Sequence, residues 1–394
     1  MKHKEPRVVE KSERYLVPGN SLGQGLTAAL SLPREIASNA DTAALDCPGI
    51  TPVLLSKKVP WFGQHTGYQQ LPRYLTKIEP HTRVFGPRHR TRERFIGKAY
   101  SVYRGWSRRN QWDAAAEFRF ARATTPEYPV RHILHFEEHF WFLDRWKKAP
   151  PNLIGTLHLP PGGWTDEELE CMSRLSSAIV LYRRDVAFFE SLVGGGRVRF
   201  IPHGVDVEFF RPAATQPGPR DLLFTGHYLR NTKMLARVVT RLSQQRPELR
   251  FHVLVPEEFR HTGGLPELHG HPHVIWHHRL SDDELRSLIS ASYLLLLPMN
   301  DSGANTAVVE SLACGTPIVT TDVGGIRNYG GNVIFPIVAN DDDDAMIALV
   351  NRYLENPAWR NNTSLLCREF AETQLAWPLV ARQHLETYEA LAMQ

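Results

Sequence analysis

Cysteine is scarce in this chain: four in 394 residues, Cys47, Cys171, Cys314 and Cys367, scattered and without a C-x-x-C pair. That spacing excludes a disulfide framework and fits reduced thiols of a cytoplasmic protein, most of them filling core space. Long apolar runs are missing as well. The apolar runs, such as Leu294–Leu297, fall far short of the ~20 residues a bilayer span needs. Met1 to Pro18 is polar and charged with no apolar centre, so no signal peptide is expected. No internal repeat is evident. A Ser-His-Asp set, a His cluster at metal-ligand spacing and an obvious carboxylate pair are lacking too. This argues against the commonest hydrolytic chemistries.

What is present is ordinary in bulk and uneven in detail. Charged residues make up 22% and apolar ones 42%, as in a soluble globular protein. The length suits two domains of about 150–200 residues each. Net charge is only +4, yet the stretch from Arg83 to Arg109 holds Arg83, Arg88, Arg90, Arg92, Arg94, Lys98, Arg104, Arg108 and Arg109 against Glu93 alone. Phe95, Ile96, Tyr100, Val102, Tyr103 and Trp106 are interleaved among them. Residues 83–109 therefore read either as a peripheral contact with an anionic membrane or anionic acceptor, or as a solvated helix face whose aromatics pack inward. Nucleic acid is not expected, because no binding motif accompanies the charge.

Along the chain, residues 1–50 show no clear periodicity and read as a partly ordered extension. Strands follow at Pro52–Ser56, Arg131–Phe136, Leu153–Leu157, Ala178–Leu181 and Val198–Ile201, with helices at Tyr68–Lys77, Asp166–Leu175 and Asp185–Val193. A Gly- and Pro-bearing connector, Pro202–Pro212, and an exposed linker, Ala213–Arg220, then separate the two halves. The second half reads strand Asp221–Thr225, helix Met234–Gln245, strands Phe251–Val255 and Val274–His277, and helix Asp282–Ser290. Asp341–Asp344 precede the helical Met346–Leu354; they cap that helix start or, as the alternative, mark a cation site. An amphipathic helix, Trp377–Met393, closes the chain.

The richest segment is Leu294–Gly325. Its order is strand, polar Gly-bearing loop, helix and β-branched strand, a βαβ unit of a parallel sheet. The helix N-terminus is an anion site in waiting, since its first amides lack internal partners and carry the positive end of the dipole. Glu310 lies five residues beyond Asn305, ~7.5 Å of helix rise. Phosphate at one end and hydroxyls at the other describe a nucleotide-sugar. Two doubly wound halves would face each other across a cleft at their strand carboxyl ends.

Several segments together carry a resemblance. VRFIPHGVDVEFFRP (Val198–Pro212), VIWHHRLSDDELRSLISASYLLLLP (Val274–Pro298), SGANTAVVESLACGTPIVTTDVGG (Ser302–Gly325) and the Trp377 helix occur in the order seen in GT-B fold glycosyltransferases of family 4, which the chain resembles. The match covers the second half well. It covers the first half loosely, through GTLHLPP (Gly155–Pro161) and the loop before Tyr68.

The resemblance implies an α/β GT-B fold of two doubly wound, Rossmann-like domains. Residues 51–205 would be the acceptor side and 206–376 the nucleotide-sugar side, with the helix of 377–394 crossing back to the first domain. It implies that Glu310, the second carboxylate of an E-x7-E motif, accepts hydrogen bonds from ribose, and that Asn305 and Thr306 hold the distal phosphate. Arg279 and Leu280 fall in the base-pocket segment, and Gly226, His227 and Gly303 in the donor loops. The motif's first Glu is replaced by Ser302, with Asp301 one residue earlier as a substitute through a shifted loop. The usual Gly-Arg and Lys cations are also altered. His227 takes the Arg position, leaving Arg230 and Lys233 as diphosphate ligands or, alternatively, as solvated helix-start charges. His158 matches a histidine that contacts the donor sugar. Glu138 and His139, ending another strand, are candidates to orient an acceptor, and His65, Thr66 and Gly67 lie in the first strand-to-helix loop, where glycine permits close approach to phosphate or sugar.

The implied reaction is transfer of a sugar from a nucleotide diphosphate to an acceptor hydroxyl with retention of configuration. The leaving phosphate would assist deprotonation, and positioning and charge stabilisation would supply most of the catalysis. The nucleotide-sugar is then a co-substrate, with no resident cofactor and no metal. A sugar or lipid-linked acceptor would place the protein in polysaccharide or glycolipid assembly, in the cytoplasm or at the inner face of the membrane. The alternatives are a nucleotide-sugar epimerase or a phosphorylase on the same fold, or a catalytically weak scaffold subunit.

Overall fold

Among the described residues twelve short strands assemble into two sheets, and in each the chain winds first to one side of its first strand and then to the other. The computed structural model describes residues 50–57, 59, 63–103, 110–123, 129–140, 151–215, 217–303 and 305–393. The N-terminal extension expected over residues 1–50 lies, but for Ile50, outside the described residues. So do Cys47, Arg104, Trp106, Arg108 and Arg109.

The first half runs β1 (Pro52–Leu55), α1 (Leu71–Ile78), β2 (Arg83–Phe85), α2 (Thr91–Tyr103), α3 (Gln111–Arg122), β3 (Val130–Ile133), β4 (Leu153–Leu157), α4 (Asp166–Met172), β5 (Ser177–Val180), α5 (Val186–Val193) and β6 (Val198–Phe200). The second half runs β7 (Asp221–Thr225), α6 (Thr232–Gln245), β8 (Arg250–Leu254), β9 (Val274–His277), α7 (Asp282–Ala291), β10 (Leu294–Leu297), α8 (Thr306–Ala313), β11 (Ile318–Thr321), β12 (Ile337–Val338), α9 (Asp343–Glu355) and α10 (Pro357–Phe370). A π-helical turn over Ala371–Leu375 leads into α11 (Trp377–Ala392).

All strand pairs are parallel, in the orders β2-β1-β3-β4-β5-β6 and β12-β11-β10-β7-β8-β9. The winding reverses between β1 and β3 in one sheet and between β7 and β10 in the other. Open α/β sheets bind ligands in the crevice at such a reversal, beyond the strand carboxyl ends. Both faces of the sheets are covered, as parallel strands require. In β1, Leu54 joins one apolar cluster while Val53 and Leu55 join the other on the opposite face, the alternation of a pleated strand.

Some local readings needed correction. Arg83–Phe85 is an edge strand whose first two residues are exposed; its charge hid it, though cations on an edge discourage edge-to-edge pairing. The α3 helix also went unread: Ala114–Ala116 face inward and Asn110 caps it by accepting from the Trp112 amide at 3.0 Å. In α2 the buried residues are Glu93, Gly97 and Ser101, while Phe95, Val102 and Tyr103 are each 69% exposed. The inward-packed reading fails for Phe95 and Tyr103 because small Gly97 faces α3, where a Cβ would come within 1.6 Å of the Gln111 carbonyl oxygen; it holds for Tyr100, whose hydroxyl donates to the buried Glu117 at 3.1 Å. The Asp341–Asp344 run caps α9 through Asp342, which accepts from the Ala345 amide. Arg237 pairs with Asp341 and Asp343, and Arg241 with Asp344. No cluster able to hold a metal ion occurs among the described residues. Cys171, Cys314 and Cys367 are buried.

The α11 helix returns to the first half. Ala376 bridges Val205, with hydrogen bonds from Val205 N to Leu375 O (2.8 Å) and from Trp377 N to Val205 O (3.1 Å). The fully buried Trp377 ring lies on Gly204, where a Cβ would come 2.3 Å from it. A buried polar chain ties α11 to β3 and β4, and its protons can be placed uniquely. The His384 Nδ1–H donates to the Val380 carbonyl (2.8 Å), so Nε2 accepts from the Tyr68 hydroxyl (2.7 Å). Tyr68 in turn accepts from Thr156 (3.3 Å), Thr156 from the His132 Nε2–H (2.7 Å), and His132 Nδ1 from the Tyr388 hydroxyl (2.7 Å). Burial holds both imidazoles neutral, lowering His384 to about 4 and His132 well below its ordinary value. Every donor in the chain has its acceptor, which is the condition for burying it.

Candidate functional site

The loops that follow β7 and β10 meet at the reversal point of the second sheet. After β7, Gly226 adopts φ +85° and its amide bonds the Leu254 carbonyl at 3.0 Å. Arg230 folds back over it, so that a Cβ on Gly226 would come 3.0 Å from the guanidinium. Its donors reach Thr225 O (3.0 Å), Tyr228 O (3.1 Å) and Asn305 Oδ1 (3.1 Å), all neutral acceptors. Burial lowers the Arg230 pKa to about 10. Asn305, at the N-cap of α8, makes no side-chain cap. Its amide instead binds the Met299 sulfur (3.1 Å) while its oxygen takes Arg230. The leading amides of α8 have no acceptor within the helix. A half-buried cation and a helix N-terminus therefore converge on one spot, an arrangement that favours an anion.

Within α8, every residue from Ala307 to Ala313 is buried. Glu310 is among them, 4% exposed, with Oε1 lacking a partner. Burial pushes its carboxyl up to about 8, an effect the neighbouring Thr66 opposes and Asp282 adds to. Thr66 comes from the first half, in a loop held by α7: Asp282 accepts from the amides of Gln64 (2.6 Å) and His65 (3.2 Å). Gly63 lies against the same carboxylate and Gly67 turns the loop with φ +84°. Arg279 (φ +49°) and Leu280 precede α7 directly.

From the first half, His158 follows β4 and Tyr182 follows the adjacent β5. His158 Nδ1 lies 3.1 Å from Glu137, its ring stacks on His135 (4.7 Å, 10°) and meets Tyr68 edge-on (4.8 Å, 86°), and Nε2 is buried without a partner. The Tyr182 hydroxyl is also buried and unpartnered. Burying such an atom without a partner costs about 1–3 kcal/mol. Both residues face Gly303, whose Cβ position is 3.2 Å from the His158 carbonyl oxygen and 3.8 Å from the Tyr182 hydroxyl. Ser302 is buried beside Gly303. Its amide donates to Asp301 Oδ1 (2.8 Å), an oxygen that Arg184 also reaches at 3.3 Å.

The structure thus gathers His158, Arg230, Gly226, Ser302, Gly303, Asn305, Thr306 and Glu310 around one cleft, with Gly67 and Arg279–Leu280 on the loops at its rim. Other candidates sit elsewhere. Lys233 is exposed on the first turn of α6, and the His227 ring stacks on Phe259 (3.6 Å). His65 binds Asp206 (2.7 Å) and stacks on Phe209. Glu138 binds Lys57, and His139 is wholly buried 3.6 Å from Glu117. Tyr182, Arg184 and Asp282 were missed. Tyr182 had a readable signal, its place just past an apolar strand; the others depend on contacts between elements distant in sequence.

With that geometry in view, comparison with known proteins is informative. Residues 219–356 match the family model described as glycosyl transferases group 1. Over 218 residues the chain is 27% identical to the D-inositol 3-phosphate glycosyltransferase of Nocardiopsis dassonvillei, a match covering 50% of this chain and 51% of that protein. The chain spans about half the length of the curated relatives it matches. Among solved structures it is similar to sucrose-phosphate synthase from Thermosynechococcus elongatus (TM-score 0.67, 16% identity, 86% of this chain and 99% of that one). It is also similar to HepE of Anabaena in complex with UDP-glucose (TM-score 0.62, 14% identity, 86% and 99%). These relatives do not favour the epimerase, phosphorylase or scaffold alternatives.

Proposed function

From a chain whose residues 219–356 are a glycosyl transferases group 1 domain set in a GT-B fold, we propose a retaining glycosyltransferase that moves a sugar from a nucleotide diphosphate to an acceptor hydroxyl. One observation carries this reading: Arg230, half-buried and bound only to neutral acceptors, sits at the head of α8 with the orphaned Glu310 oxygen farther along the same helix. The diphosphate lies on Arg230 and the amides of Asn305 and Thr306, and Glu310 accepts from the ribose hydroxyls. As the glycosidic bond to the distal phosphate lengthens, negative charge grows on the leaving diphosphate, where the cation and the helix dipole already point. The acceptor attacks from the same face and passes its proton to that phosphate. Closure of the halves, through Asp282 on the 64–65 amides, excludes water.

The UDP-glucose complex of HepE makes UDP-sugars the first donors to try. The exposed apolar stripe of α2 among Arg88, Arg90, Arg92, Arg94 and Lys98 supports a lipid-linked acceptor at an anionic membrane face, in glycolipid or polysaccharide assembly at the inner side of the membrane. The reading is tested by calorimetry with UDP, GDP and ADP and their glucose or mannose conjugates. Glu310→Ala and Arg230→Ala are each expected to weaken the preferred nucleotide by about tenfold or more, the loss of a charge-assisted hydrogen bond. Unchanged affinity in both variants would reject the site.

A further inference from the structure

The sugar end of the cleft lacks the acid its sequence motif leads one to look for. Asp301 Oδ1 shapes its own loop, accepting from the Ser302 amide and from Arg184. The Ser302 hydroxyl donates to the neighbouring Gly303 carbonyl at 3.3 Å. Across the cleft, however, stands a buried polar atom with nothing to bind. The Tyr182 hydroxyl points at Gly303, two residues before the N-cap of α8.

Its position is built for rather than incidental. The ring crosses from the end of β5 to the second half over Gly325, where a Cβ would come 1.7 Å from Cδ1; any other residue there would push it away. Tyr329 meets it edge-on at 6.2 Å, and the hydroxyl of Tyr329 is itself engaged, donating to Leu181 O and accepting from the His203 amide. Tyr182 is therefore held firmly at the ring and left unsatisfied at the oxygen. His158, on the neighbouring strand, leaves Nε2 unsatisfied on the same side.

We propose that Tyr182 is a donor-sugar contact contributed by the first half, its phenol hydrogen-bonding a hydroxyl of the transferred sugar where the loop carries Ser302 in place of an acid. The inference rests on the glycosyltransferase reading above and deepens it by naming a group that distinguishes a nucleotide-sugar from the bare nucleotide. A sugar on the phosphate at α8 extends past Gly303 into the space that opens as the halves part. There it meets a neutral group that both donates and accepts, unlike a carboxylate, which only accepts.

The test is Tyr182→Phe, which removes one oxygen and keeps the ring. The full chain and the variant are titrated with UDP and UDP-glucose, GDP and GDP-mannose, and ADP and ADP-glucose, and the melting temperature of each is recorded without ligand. For the pair that binds, affinity for the nucleoside diphosphate is expected to stay within about twofold while affinity for the conjugate falls about tenfold, a ratio typical of one lost hydrogen bond. The unliganded melting temperature should be unchanged or higher, since the deleted hydroxyl has no partner in the protein. A lowered melting temperature with equal losses for nucleotide and conjugate would mark Tyr182 as structural and overturn the proposal. So would an unaltered preference for the conjugate. Failure of the unmodified chain to bind any of the six ligands would instead overturn the glycosyltransferase reading itself, and this assignment with it.

Discussion

Glu310 shows how much a single side chain can reveal when burial and charge conflict. Its carboxyl is pushed up to about 8 by burial inside α8. An acid whose folded-state pKa exceeds its unfolded value binds its proton more tightly when folded. Its contribution to stability is then whole below the ordinary carboxylate range, declines as pH rises, and is gone once pH passes about 8. Glu310→Gln removes that titration. The melting temperature of the glutamine variant relative to the unmodified protein should therefore climb between pH 5 and pH 9, in scans without nucleotide. A difference independent of pH would mean that Glu310 is already solvated or paired. Glu310 was legible in the sequence as a helix acid five positions past an anion site. Its abnormal acidity was not, because desolvation comes from every element packed around α8.

At the scale of elements, the βαβ unit around α8 could be read directly, since an apolar strand, a Gly-bearing loop and an apolar helix leave few other arrangements. The α2 segment could not. Its composition allowed aromatics turned inward or outward, and the outcome depends on Gly97 and Ser101 packing against α3, a contact between helices that no periodicity specifies. The result is a helix with three apolar residues outside, Phe95, Val102 and Tyr103 flanked by arginines, while Ile96 and Tyr100 are half-buried. If this face meets an anionic membrane, the unmodified chain should co-float with vesicles containing phosphatidylserine and be released by salt, as electrostatic attraction is screened. The double variant Phe95→Ser and Tyr103→Ser should bind several-fold more weakly at equal salt. Equal flotation of variant and parent would remove the membrane from the reading. No helix among the described residues is long and apolar enough to span the bilayer itself.

Over the whole molecule, α11 joins what the sequence presents as separate halves. Its grip is the polar chain Val380–His384–Tyr68–Thr156–His132–Tyr388, in which each hydroxyl has one proton and one place to send it. Tyr68 also sets the His158 ring edge-on, so the same chain that anchors α11 braces the cleft. Tyr68→Phe leaves His384 Nε2 buried without a donor. It should lower the melting temperature by roughly 2–6 °C, given a cost of about 1–3 kcal/mol, and speed hydrogen exchange in α11. Stability equal to the parent would show that the chain carries no load.

For the second half the sequence by itself determined the alternation of strands and helices, the parallel order that follows from it, and the helix start that favours an anion. Those are local matters: periodicity, glycine positions and a helix start act over a few residues and survive without knowing the rest of the fold. Only the tertiary structure decided which polar atoms are stranded, namely Glu310 Oε1, His158 Nε2 and the Tyr182 hydroxyl, and which cation is half-buried among neutral acceptors, Arg230. Burial and unmet hydrogen bonds are sums over neighbours brought from far along the chain, and they exist only once both sheets and α11 have closed around the site.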